Sequence, residues 1–203
     1  AMDELSPAAR VLRSVNTISI DEGRLTGHST DGDGLVDSLV DESVTVAGSS
    51  ILLLGWGGAA RSVADAVLRA GARDVVVANR SGVDPTDLAD VCPLATSMPW
   101  DRRDEETFRF DVVINCTSVG MGDDTATPID VGRLSPKTAV VDLVYHPMET
   151  SLLAGARRRG CAVVGGLGML VHQAARQQEI WLGRRPDPAV MKAAALQALA
   201  DRR

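Results

Sequence analysis

Lysine is almost missing from this chain of 203 residues: Lys137 and Lys192 stand alone, and the rest of the 21 basic side chains are arginine. Chemistry that needs a titratable ammonium has only those two candidates. Aromatic residues are scarce at 3%, and acidic residues outnumber basic ones by 27 to 21, for a formal charge of -6. A nucleic-acid surface needs a basic stripe to neutralise phosphates and flat rings to stack bases, so that class of partner is excluded. The three cysteines, Cys92, Cys116 and Cys161, lie far apart without a C-x-x-C or Cys/His cluster. They read as buried thiols, with no metal site and no disulfide frame. No apolar run approaches the ~20 residues that span a bilayer, and the first residues lack the basic-then-apolar order of a signal peptide. A cytoplasmic protein acting on small molecules is expected. What is plentiful is hydrophobic, 45% of the residues, enough for one large domain or two small ones.

Ser6-Pro7 announces a short helix to about Arg13, because Ser is a common cap and Pro suits a first helical turn. Val15–Ile20 and Arg24–Gly27 read as two extended runs around the turn Asp21-Glu22-Gly23. From Ser50 the pattern alternates regularly. The apolar run Ile51–Leu54 leads through a Gly-rich turn into an Ala/Val-rich helix to about Ala70, and Val75–Val77 follows. Val112–Ile114, Ala139–Val141 and Ala162–Val164 are further continuous apolar runs. Such runs, separated by helices, predict a doubly wound parallel α/β sheet covered on both faces. Pro85, Pro93 and Pro99 break up the segment Val83–Thr107, which reads as a helix-plus-loop crossover in which any strand is short. Helices are expected from Gly168 to Leu182 and from Pro188 toward Arg203.

Gly55-Trp56-Gly57-Gly58-Ala59-Ala60 follows a buried strand and opens a helix, the context that G-x-G-x-x-G/A requires. Gly55 permits the tight turn, Gly57 lets the backbone approach a pyrophosphate, and Ala60 keeps helix and strand close. The helix N-terminus offers free N–H groups to the phosphates. Where an NAD site carries Asp or Glu about 20 residues on, the second strand here ends Asn79-Arg80-Ser81. A guanidinium there pairs a 2′-phosphate, so NADP is the expected cofactor; the plain structural reading of Arg80 is a solvated loop residue. Trp56 stands where a small residue is usual, either packed beside the dinucleotide or capping the turn.

These motifs together resemble the shikimate dehydrogenase family, Rossmann-like enzymes that reduce 3-dehydroshikimate to shikimate with NADPH in aromatic amino acid biosynthesis. The resemblance also runs through Val15-Asn16-Thr17, Gly27-His28-Ser29-Thr30-Asp31-Gly32, Asn115-Cys116-Thr117-Ser118-Val119-Gly120-Met121, Asp142 to Pro147 and Gly166 to Gln173. It implies that Asn16, Asp31, Tyr145 and Gln173 hold the substrate, with Asp31 half of an acid–base pair. It implies that Asn115, Thr117 and Ser118 lie along the cofactor, and that Gly166 and Met169 lie beside the nicotinamide. The physics agrees, since a site that bonds each hydroxyl rejects analogues lacking one. Each residue also has a plain structural reading: Asp31 as a cap before a helix beginning near Gly34, Tyr145 as a packed loop aromatic, Gln173 as a solvated helix residue. His28, His146 and His172 have no paired acid in the sequence and read as surface or satisfied core histidines.

Two departures accompany the resemblance. The family usually has Asn where Ser29 stands. Its substrate domain begins with a Ser-x-Ser clamp and an Asn-Val-Thr-x-Pro-x-Lys segment whose lysine pairs with the aspartate, and nothing here matches either. Residues 1–30 are therefore expected to be a remnant of the substrate domain, 31–170 the NADP-binding domain, and 171–203 helices returning to the substrate domain. The chain alone is expected to bind NADP better than it turns over substrate. Apolar surface left bare would tend to recruit a second copy or to be disordered. The alternatives are a quinate or aminoshikimate dehydrogenase, the related methylenetetrahydrofolate dehydrogenase type, and a non-catalytic nucleotide-binding module.

Overall fold

The computed structural model describes residues 2–200; the expected continuation of the last helix toward Arg203 lies outside them. The chain opens with β1 (Glu4–Leu5), α1 (Pro7–Leu12), β2 (Thr17–Asp21) and β3 (Arg24–His28). Ser6 accepts the Ala9 N–H at 3.2 Å and Pro7 takes the first position of α1, as the sequence indicated. Glu22 and Gly23, with φ of 46° and 80°, form the two-residue turn that pairs β2 antiparallel to β3. β1, unforeseen because it is only two residues long, pairs parallel to β3.

The chain continues through α2 (Asp31–Asp41), β4 (Ser50–Leu54), α3 (Gly58–Arg69), β5 (Asp74–Ala78), α4 (Pro85–Val91), β6 (Thr96–Met98) and α5 (Arg103–Glu106). It ends with β7 (Val112–Asn115), β8 (Ala139–Asp142), α6 (Ser151–Arg158), β9 (Ala162–Val164), α7 (Gly166–Leu182) and α8 (Pro188–Ala200). The large sheet is parallel throughout, in the order β6-β5-β4-β7-β8-β9. Both of its faces are dry. Ile51 and Leu53 pack with Val63, Val67 and Ile114 on one side, while Leu52 and Leu54 pack with Val113, Val140 and Leu152 on the other. This explains why the strands read as continuous apolar runs and not as an alternation.

Three boundaries differ from the sequence reading. The crossover before Thr107 contains an edge strand, β6, and Pro85 starts α4 behind the cap of Asp84 instead of breaking a helix. α7 begins at Gly166, two residues early. α2 begins at Asp31, not near Gly34, so Asp31 is its first residue and Thr30 its cap.

The glycines of Asp31-Gly32-Asp33-Gly34 look like a loop in sequence but serve close packing. A Cβ on Gly32 would lie 1.9 Å from the Ser62 carbonyl oxygen of α3, and one on Gly34 would lie 2.6 Å from the Gln173 backbone nitrogen of α7. The three helices therefore meet backbone to backbone, which brings Asp31 and Gln173 to one cleft. Gly34→Ala is expected to force α2 and α7 apart and lower unfolding stability by about 1–3 kcal/mol, measurable by urea denaturation.

Candidate active site

Where the strand order reverses, beyond the C-terminal ends of β4 and β7, two neighbouring cavities open; Gly57 lines one and Ala59 the other. This is where doubly wound sheets place ligands, because the two crossovers depart to opposite faces and leave a crevice.

The first cavity, about 350 Å3, has a polar rim of Asn16, Asp31, Tyr145 and Gln173 over a floor that includes Gly166 and Met169. Asn16 organises that rim. Its Nδ2 donates to Asp31 Oδ1 at 2.6 Å and to Thr30 Oγ1 at 3.0 Å, and its Oδ1 accepts the Thr30 N–H at 3.0 Å. Gln173 Oε1 lies 3.4 Å from Asn16 Nδ2, so the small sheet and α7 meet at one polar point. Burial pushes the Asp31 carboxyl above the usual carboxylate range, and the Asn16 hydrogen bond pulls it partly back. Tyr145 is 47% exposed, and its ring stands at the cavity edge instead of packing as a loop aromatic.

Neither lysine comes near. Lys192 Nζ is held 2.9 Å from Glu42, just past the end of the 11-residue α2, roughly 16 Å along the axis from Asp31. Lys137 lies in the turn that enters β8, at the N-terminal end of the parallel strands, whereas the cavities lie beyond their C-terminal ends.

Gly55, Trp56, Gly57, Arg80, Thr117 and Ser118 are among the residues lining the second cavity, about 280 Å3. Gly55 has φ of 101°, which a side chain would strain, and its ideal Cβ would lie 3.0 Å from Thr117. Gly57 is different, because a Cβ there meets nothing within 4 Å. It caps α3 without any side-chain hydrogen bond, so the first N–H groups of α3, beginning at Gly58 and Ala59, lack a side-chain cap. Arg80 is exposed and has no ion-pair partner among the described residues, while Asn79 spans its turn by donating to Ser81 Oγ at 3.0 Å and the Gly82 carbonyl at 2.6 Å. Open space over a glycine, an uncapped helix start and an unpaired guanidinium fit a dinucleotide diphosphate with a further phosphate nearby. Trp56 both lines the cavity and is tied down: its Nε1 donates to Asp87 at 2.8 Å, and Arg61 stacks 5.8 Å from its ring centroid.

Asn115 faces neither cavity. It is fully buried and donates to Asp142 at 2.9 Å and to the Val119 carbonyl at 3.2 Å, while its Oδ1 accepts the Thr117 N–H and hydroxyl. The side chain thus shapes the Thr117–Val119 wall. Asp142, equally buried, also accepts the Val144 N–H at 3.1 Å and the Thr150 hydroxyl at 2.6 Å. Burial raises its carboxyl despite these donors, and one polar joint carries the walls of both cavities. Asp142→Ala is expected to strand buried donors and lose on the order of 1–3 kcal/mol for each. Asp142→Asn keeps an acceptor for Asn115 and Val144 and removes the buried charge, but it turns an NH2 toward the Thr150 hydroxyl, so it should lose less stability than Asp142→Ala. Paired chemical denaturation curves check both.

Trp100, which the sequence reading passed over, also lines the second cavity. Ser29, the departure noted in sequence, lies 3.1 Å from Ser62 Oγ, and Ser62 accepts the Gly32 N–H at 2.8 Å, so α3 orders this end of α2. His172 does have an acid partner, Asp41 at 2.9 Å, supplied across the α2–α7 contact from 131 residues away. Its Nδ1 has no hydrogen-bond partner among the described residues. Among those residues no metal-binding cluster occurs, and no helix is long and apolar enough to cross a membrane. The cysteines are unpaired; burial pushes Cys92 up to about 12 and Cys116 higher still.

A glycine turn at the reversal point of a parallel sheet, beside a pocket with a polar rim, is the arrangement of the α/β oxidoreductases that work with a dinucleotide. Comparison with known proteins narrows this class. The chain belongs to the shikimate dehydrogenase family: residues 38–122 match the "Shikimate / quinate 5-dehydrogenase" family and 166–196 the "Shikimate 5'-dehydrogenase C-terminal domain". It is 39% identical to the NADP(+) shikimate dehydrogenase of Geobacter metallireducens over 98% of this chain and 72% of that one. It is 43% identical to the enzyme of the same name from Symbiobacterium thermophilum, over 98% and 71%. Among solved structures, Thermus thermophilus shikimate 5-dehydrogenase in complex with NADP(H) and shikimate matches with TM-score 0.87 at 36% identity, over 97% of this chain and 73% of that one. Corynebacterium glutamicum quinate dehydrogenase in complex with NAD also gives 0.87, at 30% identity, over 97% and 72%.

Proposed function

We propose that this chain carries the cofactor site and half of the substrate site of an NADP-dependent shikimate dehydrogenase, interconverting 3-dehydroshikimate and shikimate. The observation that carries the reading is the junction of the two cavities: Arg80 and the Gly57 turn in one, Asp31, Asn16, Tyr145 and Gln173 in the other. A bound dinucleotide supplies or accepts the hydride at the carbon that bears the substrate oxygen. The chain's own residues do the rest. Asn16, Tyr145 and Gln173 orient the hydroxyls, and Asp31, made more basic by burial, takes a proton from a substrate hydroxyl or returns it. Gly166 and Met169 floor the site beside the nicotinamide, and Thr117 and Ser118 flank the cofactor. Residues 2–30 bring Asn16, and residues 171–200 bring Gln173, to the substrate side of the cleft, while residues 31–170 carry the cofactor turn together with Asp31 and Tyr145.

With no lysine near Asp31 among the described residues, the chain alone binds cofactor but turns over slowly. A second copy docking against exposed Ile18, Ile20, Trp181 and Leu182 fits their apolar surface. Separate titrations with NADPH and NADH, followed by shikimate oxidation assays on this chain and on a version extended at its start, test the reading. Tight NADPH binding, a silent chain and an active extended form support it, whereas preference for NADH overturns the role of Arg80. The fold's match to a quinate dehydrogenase in complex with NAD favours quinate as the second substrate to assay.

A further inference from the structure

We infer that Trp100 is the stacking wall for the purine base of the dinucleotide; this rests on the cofactor reading above. The glycine turn lies at the end of β4, Arg80 just past the end of β5, and Trp100 two residues past the end of β6, the next strand outward. Neighbouring strands lie about 4.8 Å apart, so pyrophosphate, ribose phosphate and base would follow three successive strand ends. All three places line one cavity. Past the ribose the ligand has no charge left to pair, and a flat apolar base meets a flat apolar ring there.

The ring is held before any ligand arrives. The Arg103 guanidinium stacks 4.2 Å from its centroid, and the same side chain donates at 2.7 Å to both the Trp100 and Pro128 carbonyls. One face of the indole is therefore occupied by Arg103, and Trp100 lines the cavity. A fixed, electron-rich ring loses little freedom on binding and is suited to aromatic stacking. Trp100 also touches the second core cluster, so the test must separate stacking from packing.

The probe is 2′,5′-ADP, which carries the base and both ribose phosphates without the nicotinamide half, titrated calorimetrically into the intact chain, Trp100→Leu and Trp100→Phe. Trp100→Leu keeps apolar volume but no π-face and should weaken Kd about tenfold; Trp100→Phe keeps a ring and should stay within about threefold of the parent. Ligand-free melting of each variant is recorded alongside. Equal affinity in parent and Trp100→Leu overturns the inference. So does equal weakening in Leu and Phe that tracks a loss of melting temperature, which marks a packing role. Failure of the unsubstituted chain to bind 2′,5′-ADP at all overturns the cofactor reading beneath it.

Discussion

Gly57→Ala is expected to leave the fold intact and weaken NADPH binding about a hundredfold, equivalent to about 2.7 kcal/mol. The added methyl meets no protein atom within 4 Å, and the backbone there, φ -89° and ψ -173°, is one any residue adopts. Gly→Ala at such a position stabilises by roughly 0.4–1 kcal/mol through the unfolded chain, so the melting temperature should hold or rise. The methyl nonetheless enters the space in front of the uncapped start of α3, where the diphosphate has to approach backbone N–H groups. Gly55→Ala makes the contrast. At φ of 101° and 3.0 Å from Thr117, it should lose roughly 1–3 kcal/mol of stability through backbone strain. Backbone strain is thus the expected reason for glycine at 55, and ligand approach the expected reason for glycine at 57. Thermal melts with NADPH titrations separate them, and undiminished NADPH affinity in Gly57→Ala would remove the diphosphate from this turn.

What was legible in the sequence follows from how many faces of an element are buried. β4, β7 and β8, buried throughout, had to be continuous apolar runs and were read as such. β6 escaped because it is an edge strand: Thr96 and Ser97 are exposed, and only β5 pairs with it. The start of α2 was misplaced because glycine reads as a helix breaker, while Gly32 and Gly34 are needed where α2 crosses α3 and α7. Propensity yields there to packing.

In the site, the motif residues were visible and their division of labour was not. Asn16 and Gln173 are 157 residues apart, and only the α2–α7 crossing brings them within 3.4 Å. Asn115 sits in a motif whose next residues line the second cavity, yet its side chain is spent on Asp142, Val119 and Thr117. Trp100 belongs to no motif; a tryptophan two residues past a strand that was not foreseen gave no signal. His172 and Asp41 likewise become partners only through tertiary packing.

Asp31→Asn puts the strongest claim about the site to the test, since it should raise stability while it removes catalysis. Burial lifts the Asp31 carboxyl above 3.8 and only the Asn16 hydrogen bond opposes that lift. Between 3.8 and its folded value, the folded chain holds the proton more firmly than the unfolded one. Its stabilising contribution is thus full below 3.8 and disappears as pH rises through the folded value. At pH 7 the ionised group is a half-buried charge with no cation partner among the described residues, and the asparagine variant should unfold at higher urea, the difference closing as pH falls through the folded value and vanishing below 3.8. Asn16 keeps its acceptor, because an amide oxygen can stand where Oδ1 stood. A helix-start role predicts the opposite sign: Asp31 is the first residue of α2, and removing an anion there would lose about 0.3–1 kcal/mol. In whichever form turns over shikimate, the same substitution should lower kcat about 10^2- to 10^4-fold, the range for loss of a positioned acid–base group. Higher stability with lost turnover identifies a charge kept for chemistry, and lower stability with turnover intact returns Asp31 to its role as a helix-start residue.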